Sequence, residues 1–245
     1  MTKTERKKFN MKRHQEILEN HAEEIKNIVE NTEQIEYTGP VSTILHTDTV
    51  GALFQCDENE KVAILNFASF THPGGGFLNG AKAQEESLCG ESWLYEVLEQ
   101  FKDTWYSNNW KTANKGLYSD RLLYSPDVPF IRHDKIRKAD VITCAAPNWG
   151  YYKDSNDEVS FKKMKNTRAL RRRMGMILRT AEEHNIDTLI LGAWGCGAFK
   201  QDPSLIACQF KLAQSYFPKV KCIYAILDSG EILDVFRKTF KEIPE

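Results

Sequence analysis

The chain has 245 residues, of which 41% are apolar, 27% charged and 11% aromatic. That ordinary globular composition excludes a disordered polymer, a collagen-like repeat and a coiled-coil rod. Its 33 Lys and Arg against 34 Asp and Glu give a formal charge of −1, which argues against a general polyanion binder or a membrane-surface protein.

The six cysteines form no Cys-x-x-Cys pair, and the six histidines stand at no ligand-like spacing to them. Neither a zinc site nor a thioredoxin-type redox site is expected, and the simplest compartment is the reducing cytoplasm. No apolar run approaches the roughly 20 residues of a membrane span, and the first residues have no signal-peptide hydrophobic stretch.

Residues 1–39 read as an N-terminal helical extension packed on one edge of the domain. Ile17, Ile25, Ile28 and Val29 keep an imperfect helical spacing that Gly39-Pro40 ends. The basic cluster Lys3, Arg6, Lys7, Lys8, Lys12 and Arg13 is expected to be solvated. From residue 40 to 245 a single domain follows. Short runs rich in Val, Ile and Leu at 41–47, 61–68, 139–147, 187–194 and 220–228 predict buried strands. Helical patterns lie at 84–102, 159–184, 203–216 and 231–241.

In the second of these helices Leu170, Met174, Ile177, Leu178 and Ala181 form the apolar stripe. Arg168, Arg171, Arg172, Arg173 and Arg179 are expected on its solvated face. The stretch 103–138 predicts loops with one or two short strands, and Trp93, Trp149 and Trp194 are expected in the core or a cleft wall. Alternation of strand and helix implies an α/β domain with a mostly parallel central sheet.

In such sheets ligands gather beyond the carboxyl ends of the strands. Two loops answer that description. One runs from Asn66 through Ser69 and Gly74-Gly75-Gly76 to Gln84-Glu85-Glu86. The other is Gly192-Ala193-Trp194-Gly195-Cys196-Gly197-Ala198-Phe199. Glycines there can take positive φ and present successive amides as an anion nest, so the pair predicts a cleft in which backbone N–H groups hold a diphosphate. The neighbouring motifs fail on spacing. Gly75 and Gly80 match the glycines of a phosphate loop, but Ala81 stands at its lysine position. Lys200 stands where a dinucleotide loop needs its third glycine, and no Gly-x-Ser-x-Gly elbow is present.

Glu85 and Glu86 could simply complement a helix N-terminus. Two acids beside a diphosphate would weaken plain phosphate binding, however, which points to chemistry. On a helix they diverge by about 100°, so they are expected to do different jobs rather than flank one bond as paired glycosidase carboxylates do.

Gly74-Gly75-Gly76, seven residues and then Gln84-Glu85-Glu86 resembles the signature of poly(ADP-ribose) glycohydrolases, and the run from Asn66 to Ser92 is similar to the bacterial-type branch. Gly195-Cys196-Gly197-Ala198-Phe199 is similar to that family's second ligand loop. The resemblance implies a three-layer α/β/α macrodomain that binds ADP-ribose, hydrolyses poly(ADP-ribose) and needs neither a cofactor nor a metal. It places the acid/base at Glu86 and ribose positioning at Glu85. Gln84, Gly74, Gly75 and Gly76 would line the ribose and phosphate region, and Gly195, Gly197 and Ala198 the diphosphate. Phe199 would orient the terminal ADP-ribose.

Asn66 and Ser69 align with the two asparagines of the broader macrodomain segment, where Ser69 departs from the pattern. The partners implied are ADP-ribose, its polymer and ADP-ribosylated proteins, with no membrane partner and a monomeric state. Two other readings keep the same loops: hydrolysis of single ADP-ribose units from protein or nucleic acid, and non-catalytic ADP-ribose binding, for which the acid pair has no use.

Overall fold

The computed structural model describes Lys12, Glu19, Asn20, Ala22 and Glu23, and then residues 42–152, 158–227 and 230–240. The chain separates into two units, Met1–Thr38 and Gly39–Glu245. In the first, the described residues are helical and exposed; the expected isoleucine stripe and most of the basic cluster lie outside the described residues.

The second unit is built on six strands: β1 (Ser42–Leu45), β2 (Val62–Phe67), β3 (Leu123–Arg132), β4 (Lys135–Cys144), β5 (Thr188–Leu191) and β6 (Lys221–Ala225). Their order is β1-β6-β5-β2-β4-β3, and every pairing is parallel except β3 with β4. The apolar runs dictate this arrangement, because strands covered on both faces need no polar alternation. Along β2 the side chains divide with period two. Ala63 and Leu65 enter one core with Met174, Trp194 and Phe210, while Val62 and Ile64 enter the other with Leu53, Leu88 and Phe130. Helices α1 (Thr49–Leu53), α2 (Gln84–Gly90), α3 (Leu94–Glu99) and α4 (Ser107–Lys111) belong to the strand connections of the first half. Those of the second half are α5 (Trp149–Tyr152), α6 (Val159–Glu183), α7 (Pro203–Gln214) and α8 (Glu231–Phe240). The result is the three-layer α/β/α architecture. Among the described residues no helix is long and apolar enough to cross a membrane.

Three local expectations need correction. The single helix over 84–102 is broken between α2 and α3. Glu91 O accepts from Ile131 N at 2.7 Å, its carboxylate holds Arg132, and Ser92 Oγ donates to Leu88 O at 2.6 Å, so the edge strand β3 captures the break. Trp93, at this break, is 60% exposed rather than packed. The irregular stretch contains one ten-residue strand, β3, whose register shifts between Ser125 and Val128. Pro126 sits in that irregularity and Pro129 on the sheet's edge, the two places where a strand tolerates proline.

The third correction is Arg173. The stripe on α6 is fully buried as expected, but so is this arginine, at 0% exposure. Its Nη1 donates to Ala145 O at 3.1 Å and its Nη2 to Leu117 O at 2.6 Å, while Nε meets Asp120 Oδ1 at 3.1 Å. Burial pulls its pKa down and Asp120 opposes the shift. Two carbonyls and a carboxylate compensate the charge inside the domain.

Candidate active site

The loop after β2 and the first turn of α2 meet around two carboxylates. Glu85 is 3% exposed. Its Oε1 accepts from Asn66 Nδ2 at 3.2 Å and its Oε2 from Ser69 N at 2.7 Å, with the Gly74 amide also bonded to it. Burial raises its pKa to about 8, against the pull of those N–H donors. Asn66 is itself fully buried, with Nδ2 also 3.3 Å from Thr143 Oγ1 and with Oδ1 unbonded among the described residues. Ser69 Oγ accepts from Thr71 N and His72 N and so closes the turn that leads to the glycines.

Glu86 is half-buried and fixed at both oxygens. Oε1 accepts from Gly76 N at 2.8 Å, and Oε2 from Ala83 N at 3.1 Å. Gly74 and Gly75 adopt φ of +64° and +60°, and a Cβ on Gly75 would lie 2.5 Å from Glu86 Oε1 and 2.9 Å from Glu85 Oε2. Both carboxylates therefore close on one glycine, although their helix positions diverge. Gly75 N in turn donates to His72 O at 3.1 Å. The expected anion nest is therefore not free for a ligand: the Gly74 and Gly76 amides are taken by the protein's own carboxylates and the Gly75 amide by His72 O.

Gln84 lines the adjoining cleft while all its polar bonds go to the fold. Oε1 accepts from Phe67 N at 2.9 Å, and Nε2 donates to Leu65 O at 2.9 Å and Thr49 Oγ1 at 3.2 Å.

The second loop is different. Gly195 takes φ of +79° because a type of turn closes there: Gln201 N returns to Gly195 O at 3.0 Å, and Cys196 N to Ala193 O at 3.0 Å. The amides of Gly195, Gly197, Ala198 and Phe199 have no acceptor among the described residues. Gly195, Gly197, Ala198 and Phe199 line a cleft of about 470 Å³ with Phe67, Lys82 and Gln84. Cys196 does not; it packs on the core, and burial pushes its thiol up to about 12.

Phe199 meets Tyr118 edge to face at 6.0 Å, and Tyr118 stacks on Phe70 at 4.3 Å. A second cavity of about 360 Å³ shares Phe67, Lys82 and Gln84 and continues along Val50, Leu88, Ile226 and Ile232, with Asp48 at its edge. Trp194, fully buried, anchors the loop by donating from Nε1 to Cys144 O at 2.9 Å, and Gln201 does so through Pro147 O and Asn166.

The sequence motifs thus form two groups. Asn66, Ser69, Gly74, Gly75, Gly76, Glu85 and Glu86 gather around the carboxyl groups. Gln84, Gly195, Gly197, Ala198 and Phe199 line the cleft. Lys82, Gln201 and Arg173 escape sequence reasoning. Lys82 could have been found from its place between the glycines and the acids; the other two carry no local signal.

A model of the microbial-type poly(ADP-ribose) glycohydrolase catalytic domain matches residues 2–133. Among solved structures, poly(ADP-ribose) glycohydrolase from Deinococcus radiodurans in complex with ADP-ribose is 32% identical. That match covers 82% of this chain and 84% of that one, with a TM-score of 0.74. The enzyme from Thermomonospora curvata is 30% identical over 86% of this chain and 81% of its own, with a TM-score of 0.71. Its complex with the inhibitor ADP-HPD is 31% identical over 88% and 82%, again at 0.71. No curated protein matches the chain. The matches span the acid loop and most of the fold at 30–32% identity, and the chain belongs to the microbial-type poly(ADP-ribose) glycohydrolase family.

Proposed function

We propose that the chain hydrolyses the ribose–ribose O-glycosidic bonds of poly(ADP-ribose) and releases ADP-ribose, with Glu86 as general acid and base. The observation that carries this reading is a carboxylate held at both oxygens by Gly76 N–H and Ala83 N–H, in the turn that also supplies a cleft edged by four unbonded amides. Held in this way, the group can exchange a proton without losing its place.

Protonated Glu86 donates to the departing ribose oxygen as the C–O bond breaks and oxocarbenium-like charge develops at the anomeric carbon. The carboxylate then takes a proton from the attacking water, so one water is consumed and Glu86 is regenerated.

The amides of Gly195, Gly197, Ala198 and Phe199, in a cleft that Lys82 also lines, suit the pyrophosphate. The apolar cavity along Val50, Ile226 and Ile232 suits a flat base, and the Phe199 ring, braced by Tyr118, suits the terminal ribose. Glu85, at 3% exposure, is the more deeply buried of the two and bonds Asn66, Ser69 and Gly74, so it is a positioning residue that keeps them in register for the ribose.

Glu86→Gln is the test. It removes the proton while keeping size, and turnover should fall about 10²–10⁴-fold with ADP-ribose affinity retained. ADP-ribose release is followed from poly(ADP-ribose) and from mono-ADP-ribosylated protein in parallel. Unchanged turnover in Glu86→Gln overturns the role; release only from the modified protein overturns the polymer as substrate.

A further inference from the structure

The proposed site uses none of the arginines on α6, and their distribution is anomalous for this chain. Between residues 159 and 181 there are eight basic residues and no acidic one, in a protein whose total charge is −1. Arg173 is accounted for by its buried carbonyls, Arg172 by Asp120, and Arg171 by Gln209. Arg168 and Arg179 are exposed, and neither has a bonding partner among the described residues.

On the helix, Phe161, Lys165, Arg168, Arg172 and Arg179 follow spacings of three, four and seven residues and form one outward stripe about 27 Å long. Like charges at three- and four-residue spacing destabilise a helix, and no glutamate in this span relieves them. At the start of the stripe, Phe161 is 43% exposed with the Lys165 ammonium over its ring at 4.0 Å. The inward face of the same helix is tied to the cleft: Asn166 Nδ2 donates to Gln201 Oε1 at 2.9 Å, and Gln201 closes the diphosphate loop at Gly195 O.

We infer that the outward face of α6 is a track for the part of a poly(ADP-ribose) chain that lies outside the cleft. This rests on the reading of the cleft as the hydrolytic site. Each unit of such a chain carries a pyrophosphate for the cations and a base for the exposed ring, and the stripe belongs to the helix that braces the loop proposed to hold the terminal pyrophosphate. Charge complementarity names the occupant: eight cations with no acid between them on one helix suit a chain that carries a pyrophosphate in every unit, and the helix's tie to the cleft favours the polymer over an unrelated nucleic acid.

The test is Arg168→Glu/Arg179→Glu in the full chain. Affinity for long, size-fractionated poly(ADP-ribose) is measured in a Glu86→Gln background, where the polymer survives. Single-stranded RNA of matched phosphate count and free ADP-ribose are the comparison ligands. Polymer affinity should fall at least about tenfold and its salt slope by about 1.4, the share of two phosphate contacts on a single strand. ADP-ribose affinity and, in the otherwise wild-type enzyme, hydrolysis of the ADP-ribose dimer should stay unchanged.

Equal polymer affinity in the reversed variant overturns the track, as does wild-type binding of RNA more tightly than polymer. A wild-type enzyme that binds polymer and releases no ADP-ribose would instead strike the hydrolytic reading, while the binding comparison still decides the track.

Discussion

The two glycine loops look alike in sequence and are opposite in the fold. Each leaves a central parallel strand and leads into a helix. After β2, the amides of Gly74, Gly75 and Gly76 are all engaged, two of them by Glu85 and Glu86. After β5, the amides of Gly195, Gly197, Ala198 and Phe199 have no acceptor among the described residues. What separates them is the acid pair ten residues beyond the first loop; the second is followed by Lys200, Gln201 and the helix-capping Asp202. A nest of N–H groups takes the nearest available anion. In one case that anion is part of the chain, and in the other no acceptor stands among the described residues.

The largest blow to this comparison comes from filling the first loop. Gly75→Ala combines a positive φ with a Cβ inside contact distance of both carboxylates. It should lower stability by about 1–2 kcal/mol from the backbone alone and turnover by about 100-fold through misplacement of Glu86. Thermal denaturation and ADP-ribose release measure the two effects; a variant with wild-type turnover would dissolve the distinction between the loops.

Next, Glu85→Gln should cost about 1–3 kcal/mol, because an amide cannot accept from all the donors around it. It should also remove a pH dependence. The folded pKa of about 8 lies above the ordinary glutamate value of 4.5, so the native state holds an extra proton between those values. That contribution to stability is complete below pH about 4.5 and is lost as pH rises towards about 8, at no more than about 1.4 kcal/mol per pH unit. Denaturant titrations across that window should show the parent's stability falling as pH rises while the variant's does not follow it, so that the parent's advantage at low pH shrinks.

Gly197→Ala sharpens the comparison from the other side. A Cβ there meets no atom within 4 Å and the residue lacks a positive φ, so melting should be unchanged within about 0.5 kcal/mol. Calorimetry should show ADP-ribose affinity weakened about tenfold, or about 1.4 kcal/mol, because the methyl group enters the ligand's space.

The smallest effect is expected at Lys200, which adopts φ of +58° at the end of the second loop. Lys200→Gly should raise stability by up to about 1 kcal/mol, read as a higher denaturation midpoint.

These residues also mark what a sequence conveys. The strands and α6 were legible because Val, Ile and Leu runs and the Leu170–Ala181 stripe state their burial locally. The break at Glu91 was not, since a strand some forty residues later causes it through Ile131 and Arg132. Arg173 was taken for a surface arginine because nothing nearby in sequence announces the carbonyls of Leu117 and Ala145. In the site, glycines and acids were legible as types and spacings. Their mutual engagement was not, because a helical wheel separates Glu85 from Glu86 while their side chains reach back to one loop. Trp93 misled for a related reason: an aromatic in a helical pattern reads as core, yet it falls where that pattern ends.

Gln84 deserves a last consequence. Its carboxamide exchanges bonds with Phe67 N–H and Leu65 C=O, the groups a neighbouring strand would otherwise engage, and so imitates one peptide unit of a strand that is not there. The start of α2 is thereby indexed to the sheet by a neutral residue as well as by Glu85, which reaches Asn66 on the same strand. Replacing that amide would loosen the helix's seat even with both carboxylates in place, so the residue beside the acids is part of what holds them where they are.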